Sequence, residues 1–144
     1  MEYAALIREL GTVLGIGLEL SEQGTCGVFF DDDEVLFELN DGRLFIMADL
    51  GPSQGREDAA MRLLQAANLG LETGFSCLGI DAAREQFTLC RVLEGDLAYP
   101  DFEKMLAIFV RAMRFWKEWL ALPPADPAGQ SSSMDGIQSF AMRA

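Results

Sequence analysis

The sequence contains no histidine. That absence removes the commonest general base, the Ser/His/Asp and Cys/His nucleophile arrangements, and every metal site that needs an imidazole. Cysteine is scarce as well. Cys26, Cys77 and Cys90 are odd in number and far apart, with no C-x-x-C spacing for zinc or redox work. Each sits in an apolar, strand-like run, which predicts small buried hydrophobes in a reducing compartment. Positive charge is in short supply, with 11 Lys and Arg against 23 Asp and Glu and a net charge of −12. A field of that sign repels nucleic acid and anionic membrane, favours basic or neutral partners, and keeps a sticky chain soluble. Long hydrophobic runs are missing too. No stretch longer than nine residues lacks a charge, which is too short for a membrane span. Glu2 and Glu9 stand where a signal peptide needs a basic start and an apolar core. The expectation is a cytoplasmic chain with neither a membrane nor a nucleic-acid partner.

What is present reads as one folded domain. Of 144 residues, 50% are hydrophobic and 24% charged, enough apolar matter for a core without disulfides or metal. Tyr3, Leu6, Ile7, Leu10, Val13 and Leu14 recur at helical steps, and Gly15 to Gly17 should stop that helix. Three short strands follow between Cys26 and Ala48. They are joined by turns at Asp31 to Glu34 and at Asn40-Asp41-Gly42, the latter a strong hairpin signal. A second helix runs from about Arg56 to Leu69 and is apolar around most of its circumference, which predicts burial on more than one side. Two strands, Gly74 to Ile80 and Gln86 to Leu93, precede a long helix that begins near Pro100 and ends by Leu122. Its core stripe is Phe102, Met105, Leu106, Phe109, Met113, Trp116 and Leu120. The order is helix, three-strand antiparallel meander, helix, two-strand hairpin, long C-terminal helix, which predicts an α+β fold. Residues 1–122 form the domain; residues 123–144 are Pro/Gly/Ser-rich and predict a flexible tail that ends in an apolar island of Ile137, Phe140 and Met142.

The meander is apolar on both faces. Val28, Val35, Phe37, Leu44 and Ile46 alternate with Phe29, Leu36, Phe45 and Met47. An antiparallel sheet in a small domain normally wets one face, so something must cover the second. Catalytic readings find little support. The run Asp31-Asp32-Asp33-Glu34 lacks the spaced ligands and central glycine of a calcium loop and reads as a solvated turn. Gly11 to Gly17 follows a helix and lacks both G-x-G-x-x-G spacing and a G-K-[ST] end, so it places nothing on phosphate. Lys104, Arg111, Arg114 and Lys117 on the last helix read as a solvated face. No metal, no cofactor and no catalytic residue is assigned. The excess of apolar surface, with seven methionines, points instead to partner binding and self-association.

The order and several stretches resemble the class I chaperones of bacterial type III secretion, the Tir-chaperone family. The resemblance rests on Leu10 to Leu18 at the end of the first helix, Leu20 to Cys26, Ala48-Asp49-Leu50-Gly51, and Leu63-Leu64-Gln65-Ala66-Ala67-Asn68-Leu69. Leu78-Gly79-Ile80-Asp81, Phe87-Thr88-Leu89, and Phe109 with Phe115-Trp116 extend it across residues 1–122. Gly17 and Ser21 depart from the family pattern at one turn. The resemblance implies a cytoplasmic bacterial homodimer. It would bind the N-terminal segment of a secreted effector and keep it extended and secretion-competent without ATP hydrolysis. It implies an effector surface on the first helix and the meander, here Phe29, Leu36, Phe45 and Met47. It implies a dimer interface at Met61, Leu64, Gln65 and Asn68, with the strand around Cys77. The alternative within the same fold is a regulator that sequesters a partner protein and couples secretion to transcription. From another class, a small-molecule-binding α+β domain would show a deep pocket with converging polar groups, whereas a chaperone would show a shallow apolar face.

Overall fold

The structure, a computed structural model, describes residues 2–123. The tail assigned from the sequence, with its Ile137, Phe140 and Met142 island, lies outside them. Helix α1 (Tyr3–Leu14) leads into a five-stranded antiparallel sheet made of β1 (Thr25–Phe30), β2 (Asp33–Asn40), β3 (Arg43–Pro52), β4 (Cys77–Asp81) and β5 (Gln86–Leu93). Helix α2 (Glu57–Ala67) and one 3-10 turn at Asn68–Gly70 connect β3 to β4, and α3 (Tyr99–Ala121) closes the domain. The spatial order is β1-β2-β3-β5-β4, so the hairpin's second strand pairs with the meander and β4 is left at the edge. This is the α+β architecture anticipated from the pattern of elements.

Local chemistry explains where elements stop. Gly15 closes α1 in the left-handed conformation (φ 73°), with Ile16 N–H on the Gly11 carbonyl and Gly15 N–H on that of Thr12. The chain then folds back over Gly11, where a Cβ would lie 2.7 Å from the Ile16 carbonyl oxygen and 2.8 Å from the Leu18 nitrogen. Leu18 fills the core at that point, so the apolar stripe of α1 ends at Leu10, and Val13 and Leu14 are exposed. The sequence-based stripe ran one turn too far. Asp41 and Gly42 both have positive φ (51° and 74°), the primed turn that matches strand twist.

One face of the sheet is closed. Val28, Val35, Phe37, Leu44, Ile46, Ala48, Leu50, Phe87, Leu89 and Leu93 point inward and are buried beneath the helices. From α3 come Phe102, Leu106, Phe109, Met113, Trp116 and Leu120, and from α1 Leu6, Ile7 and Leu10. The Phe37 and Phe102 rings meet at 6.4 Å between centroids. Helix α2 and the loop after it are tied to α3 through Trp116, which is fully buried. Its Nε1–H donates to the Glu72 carbonyl at 2.8 Å, and the Arg62 guanidinium lies 5.2 Å above its ring. Arg62 is neutralised by a two-bond pair with the Glu72 carboxylate (2.7 and 3.4 Å).

The solvated basic face inferred for the last helix holds for Lys104 and Arg111, which are exposed, but not for its C-terminal half. Arg114 and Lys117 reach across to the β1–β2 turn. Lys117 Nζ donates to Asp33 at 2.6 Å, and Arg114 donates to Asp33, Asp31 and the Phe30 carbonyl. The acidic turn is therefore partly paired, with Asp32 and Glu34 of the run making no ion pair among the described residues.

Candidate functional site

Because side chains alternate across a strand, the residues opposite the core share a second face. The register places Gly27, Leu36, Met47, Cys90 and Cys77 in one row across all five strands. Thr25, Glu38, Phe45 and Val92 form the row on one side of it, and Phe29 opposes Glu34 on the other. Phe29, Leu36, Phe45 and Met47 thus lie on the same face, away from the helices. Phe29 is 64% exposed and Leu36 44%, while Phe45 and Met47 are half-buried by their neighbours alone. The central row spans about 19 Å at ordinary strand spacing. A shallow open groove of about 680 Å³ runs along it, lined among others by Phe29, Leu36, Met47, Cys90, Asp49 and Arg84.

The face has no catalytic grouping. Arg84 is held by Asp49 (2.7 and 2.9 Å) and Asp81 (2.8 Å), which keep its guanidinium firmly protonated and the Asp81 carboxyl below the usual aspartate range. Desolvation raises the Cys90 thiol above its ordinary value, so Cys90 is a poor nucleophile. Among the described residues, no three His, Cys, Asp or Glu side chains gather to hold a metal ion, and no helix is long and apolar enough to cross a membrane.

The cysteines depart from the sequence reading. None is fully buried: Cys77 is exposed at the start of β4, and Cys26 and Cys90 are intermediate. Cys77 opposes Cys90 and belongs to the outer-face row that contains Met47.

A second apolar surface lies on α2 and the loop that follows. In this chain α2 buries one side only, through Ala59, Arg62, Leu63 and Ala66. Met61 (63%), Leu64 (69%), Gln65 and Asn68 face solvent. The sequence reading took this helix to be covered on more than one side; the single chain leaves its second side bare. Leu69, Leu71 and Phe75 extend the exposed set. Leu69 and Phe75 both hold the left-handed conformation (φ 62° each), unusual for bulky residues and costing roughly 1–2 kcal/mol apiece. Thr73 Oγ1 on the Ser76 carbonyl (2.7 Å) and Phe75 N–H on the Gly70 carbonyl (2.9 Å) fix that geometry. Leu71 and Phe75 went unnoticed in the sequence, where only two apolar letters in a glycine-rich loop mark them. Val92 was missed as well, although the alternation of β5 already places it opposite Leu93.

Another groove, about 430 Å³, lies between α1 and α3 and is lined by Leu10, Val13, Leu14, Phe30, Leu106 and Val110.

A small α+β domain with one closed sheet face, one open apolar sheet face and a bare helix side is a module for holding other polypeptides. The chain belongs to the Tir chaperone protein (CesT) family, whose model matches residues 5–117. No curated protein matches the sequence significantly. Several solved structures share the fold. The ExsC–ExsE complex matches with a TM-score of 0.70 and 24% identity, over 88% of this chain and all of that one. The HopA1–SchA chaperone–effector complex matches at 0.68 and 21%, over 81% and 93%. The Yersinia pestis type III secretion chaperone SycH, solved with a fragment of YscM2, matches at 0.62 and 20%, over 79% and 98%.

Proposed function

We propose that this chain is a type III secretion chaperone that binds the N-terminal segment of a secreted effector and holds it extended, without ATP hydrolysis or any other catalysis. The observation that carries this reading is the open sheet face, where Phe29, Leu36, Phe45 and Met47 stand together on a rigid five-stranded platform. An extended client gains apolar contact on such a platform and finds main-chain partners at the unpaired edges of β1 and β4. Family membership supports the same reading, as does the lack, among the described residues, of a charged constellation suited to chemistry. The protein works in the bacterial cytoplasm as a homodimer, with Met61, Leu64, Gln65 and Asn68 of α2 at the interface and Leu69, Leu71 and Phe75 beside them. Cys77 lies at the margin of both surfaces.

The test is co-purification from the native host followed by mass spectrometry. The double variant Phe45→Asp/Met47→Asp should lose the captured client while keeping its circular dichroism and its mass in solution. Retention of the client by a folded double variant contradicts the assignment. The identity of the client, a secreted protein or a transcriptional regulator, separates an effector chaperone from a same-fold regulator.

A further inference from the structure

The open sheet face is charged unevenly, and the imbalance says what kind of segment fits it. On β2, Glu34 and Glu38 sit two residues to either side of Leu36, all three on the outer face. Asp32 lies beside Glu34 in the same groove. None of these three carboxylates has an ion-pair partner among the described residues. The nearby cations are already committed: Arg43 to Glu94, Arg84 to Asp49 and Asp81, Lys117 to Asp33, and Arg91 to the Gly74 carbonyl. Arg8, Lys104 and Arg111 belong to α1 and α3, which cover the opposite face. At the other end of the platform the outer residues are Thr88, Cys90, Val92, Gly79, Cys77 and Asp81, and Asp81, like Asp49 of β3, is paired with Arg84. The outer-face carboxylates that lack an ion-pair partner among the described residues therefore gather at the β1–β2 end.

Gly27 shapes the same end. It opposes Leu36, and a Cβ there would lie 3.2 Å from Glu34 Oε1 and 3.4 Å from Leu36 Cδ2. The Glu34 carboxylate and the Leu36 side chain lean over this glycine, and a larger residue there would crowd both.

We propose that the segment bound at this end carries the pattern basic–x–apolar–x–basic, with an apolar anchor over Leu36 and Met47 and Lys or Arg side chains meeting Glu34 and Glu38. The inference rests on the reading of this face as the client surface. Its physical basis is a shared period. Alternate residues of an extended peptide are about 6.6 Å apart, as are Glu34, Leu36 and Glu38 on their strand. A peptide with that spacing satisfies both carboxylates and the apolar patch at once. A peptide with the same charge placed next to the anchor points its cations away from the sheet.

The experiment uses the full chain and three short synthetic peptides in a Ser/Thr background, measured by fluorescence anisotropy at low salt. One carries Lys-x-Phe-x-Lys, one Glu-x-Phe-x-Glu, and one moves the two lysines next to Phe. The first should bind about tenfold more tightly than the other two, with the preference shrinking as salt is added. Glu34→Gln/Glu38→Gln should reduce that preference to about threefold or less. Glu57→Gln/Glu118→Gln removes the same charge elsewhere and should leave it intact. Equal binding of the two lysine peptides, or an unchanged preference in Glu34→Gln/Glu38→Gln, overturns the charge pattern and leaves the client surface standing. Binding of none of the three, or binding unmoved by Leu36→Asp, overturns the client-surface reading itself.

Discussion

Asp33 shows how a single carboxylate joins two parts of this molecule. It accepts from Lys117 Nζ at 2.6 Å and from Arg114 Nε at 3.3 Å, and so pins the β1–β2 turn to α3. The Lys117 hydrogen bond, more than any other effect, holds its pKa below the ordinary aspartate value. A carboxylate whose folded pKa is depressed contributes stability that is complete above its unfolded pKa and is lost as pH falls through the folded one. Asp33→Asn should therefore destabilise the fold by about 1 kcal/mol at neutral pH, because the cluster is partly solvated. Denaturant titrations should show that difference shrinking as the medium is acidified below the aspartate range; a difference constant with pH contradicts it. None of this was legible in the sequence. Asp31 to Glu34 and Arg114 to Lys117 are more than 80 positions apart, and each run taken alone looks like solvated charge.

At the scale of elements, α2 and the loop behind it carry the unusual features. The helix presents Met61 and Leu64 to solvent, and the loop spends left-handed strain to hold Leu69 and Phe75 outward. Strain of that kind persists where the surroundings over-determine it, here through the Arg62–Glu72–Trp116 clamp beneath the loop. Light scattering should give twice the chain mass, and Leu64→Glu should give a folded monomer. A wild-type monomer at micromolar concentration contradicts the dimer. The sequence exposed this element only in part. The excess of apolar residues on α2 was plain from its composition, and the span of β5 was read correctly because its alternation is clean. The sequence reading starts β4 at Gly74, three residues before the strand begins. Positive φ at Phe75 and the Thr73 hydrogen bonds delay the strand to Cys77. Helix α1 ends at Leu14, before Gly15, as its sequence indicates, but its buried stripe stops a turn earlier: the close approach of Ile16 and Leu18 to Gly11 is a tertiary event invisible to periodicity.

On the scale of the whole molecule, a five-stranded sheet is closed on one side by two helices and open on the other, with a separate bare surface on α2. The doubly apolar alternation of the meander made two-sided use of the sheet visible from the sequence. Which side the helices would take depended on α1 and α3, whose stripes match either face equally well in sequence. The closed side is the one with Val35, Phe37, Leu44 and Ile46, branched or aromatic residues that interlock with Phe102, Leu106 and Phe109. The open side is the proposed client surface, and the groove between α1 and α3 is its competitor. Methyl-resolved NMR of the full chain, titrated with the N-terminal segment of its captured client, distinguishes the two. The account predicts shifts at Leu36, Met47 and Val92, with Val13, Leu14 and Ile16 unmoved at first saturation. Shifts confined to Val13, Leu14 and Ile16, with the outer-face methyls unchanged, would contradict it.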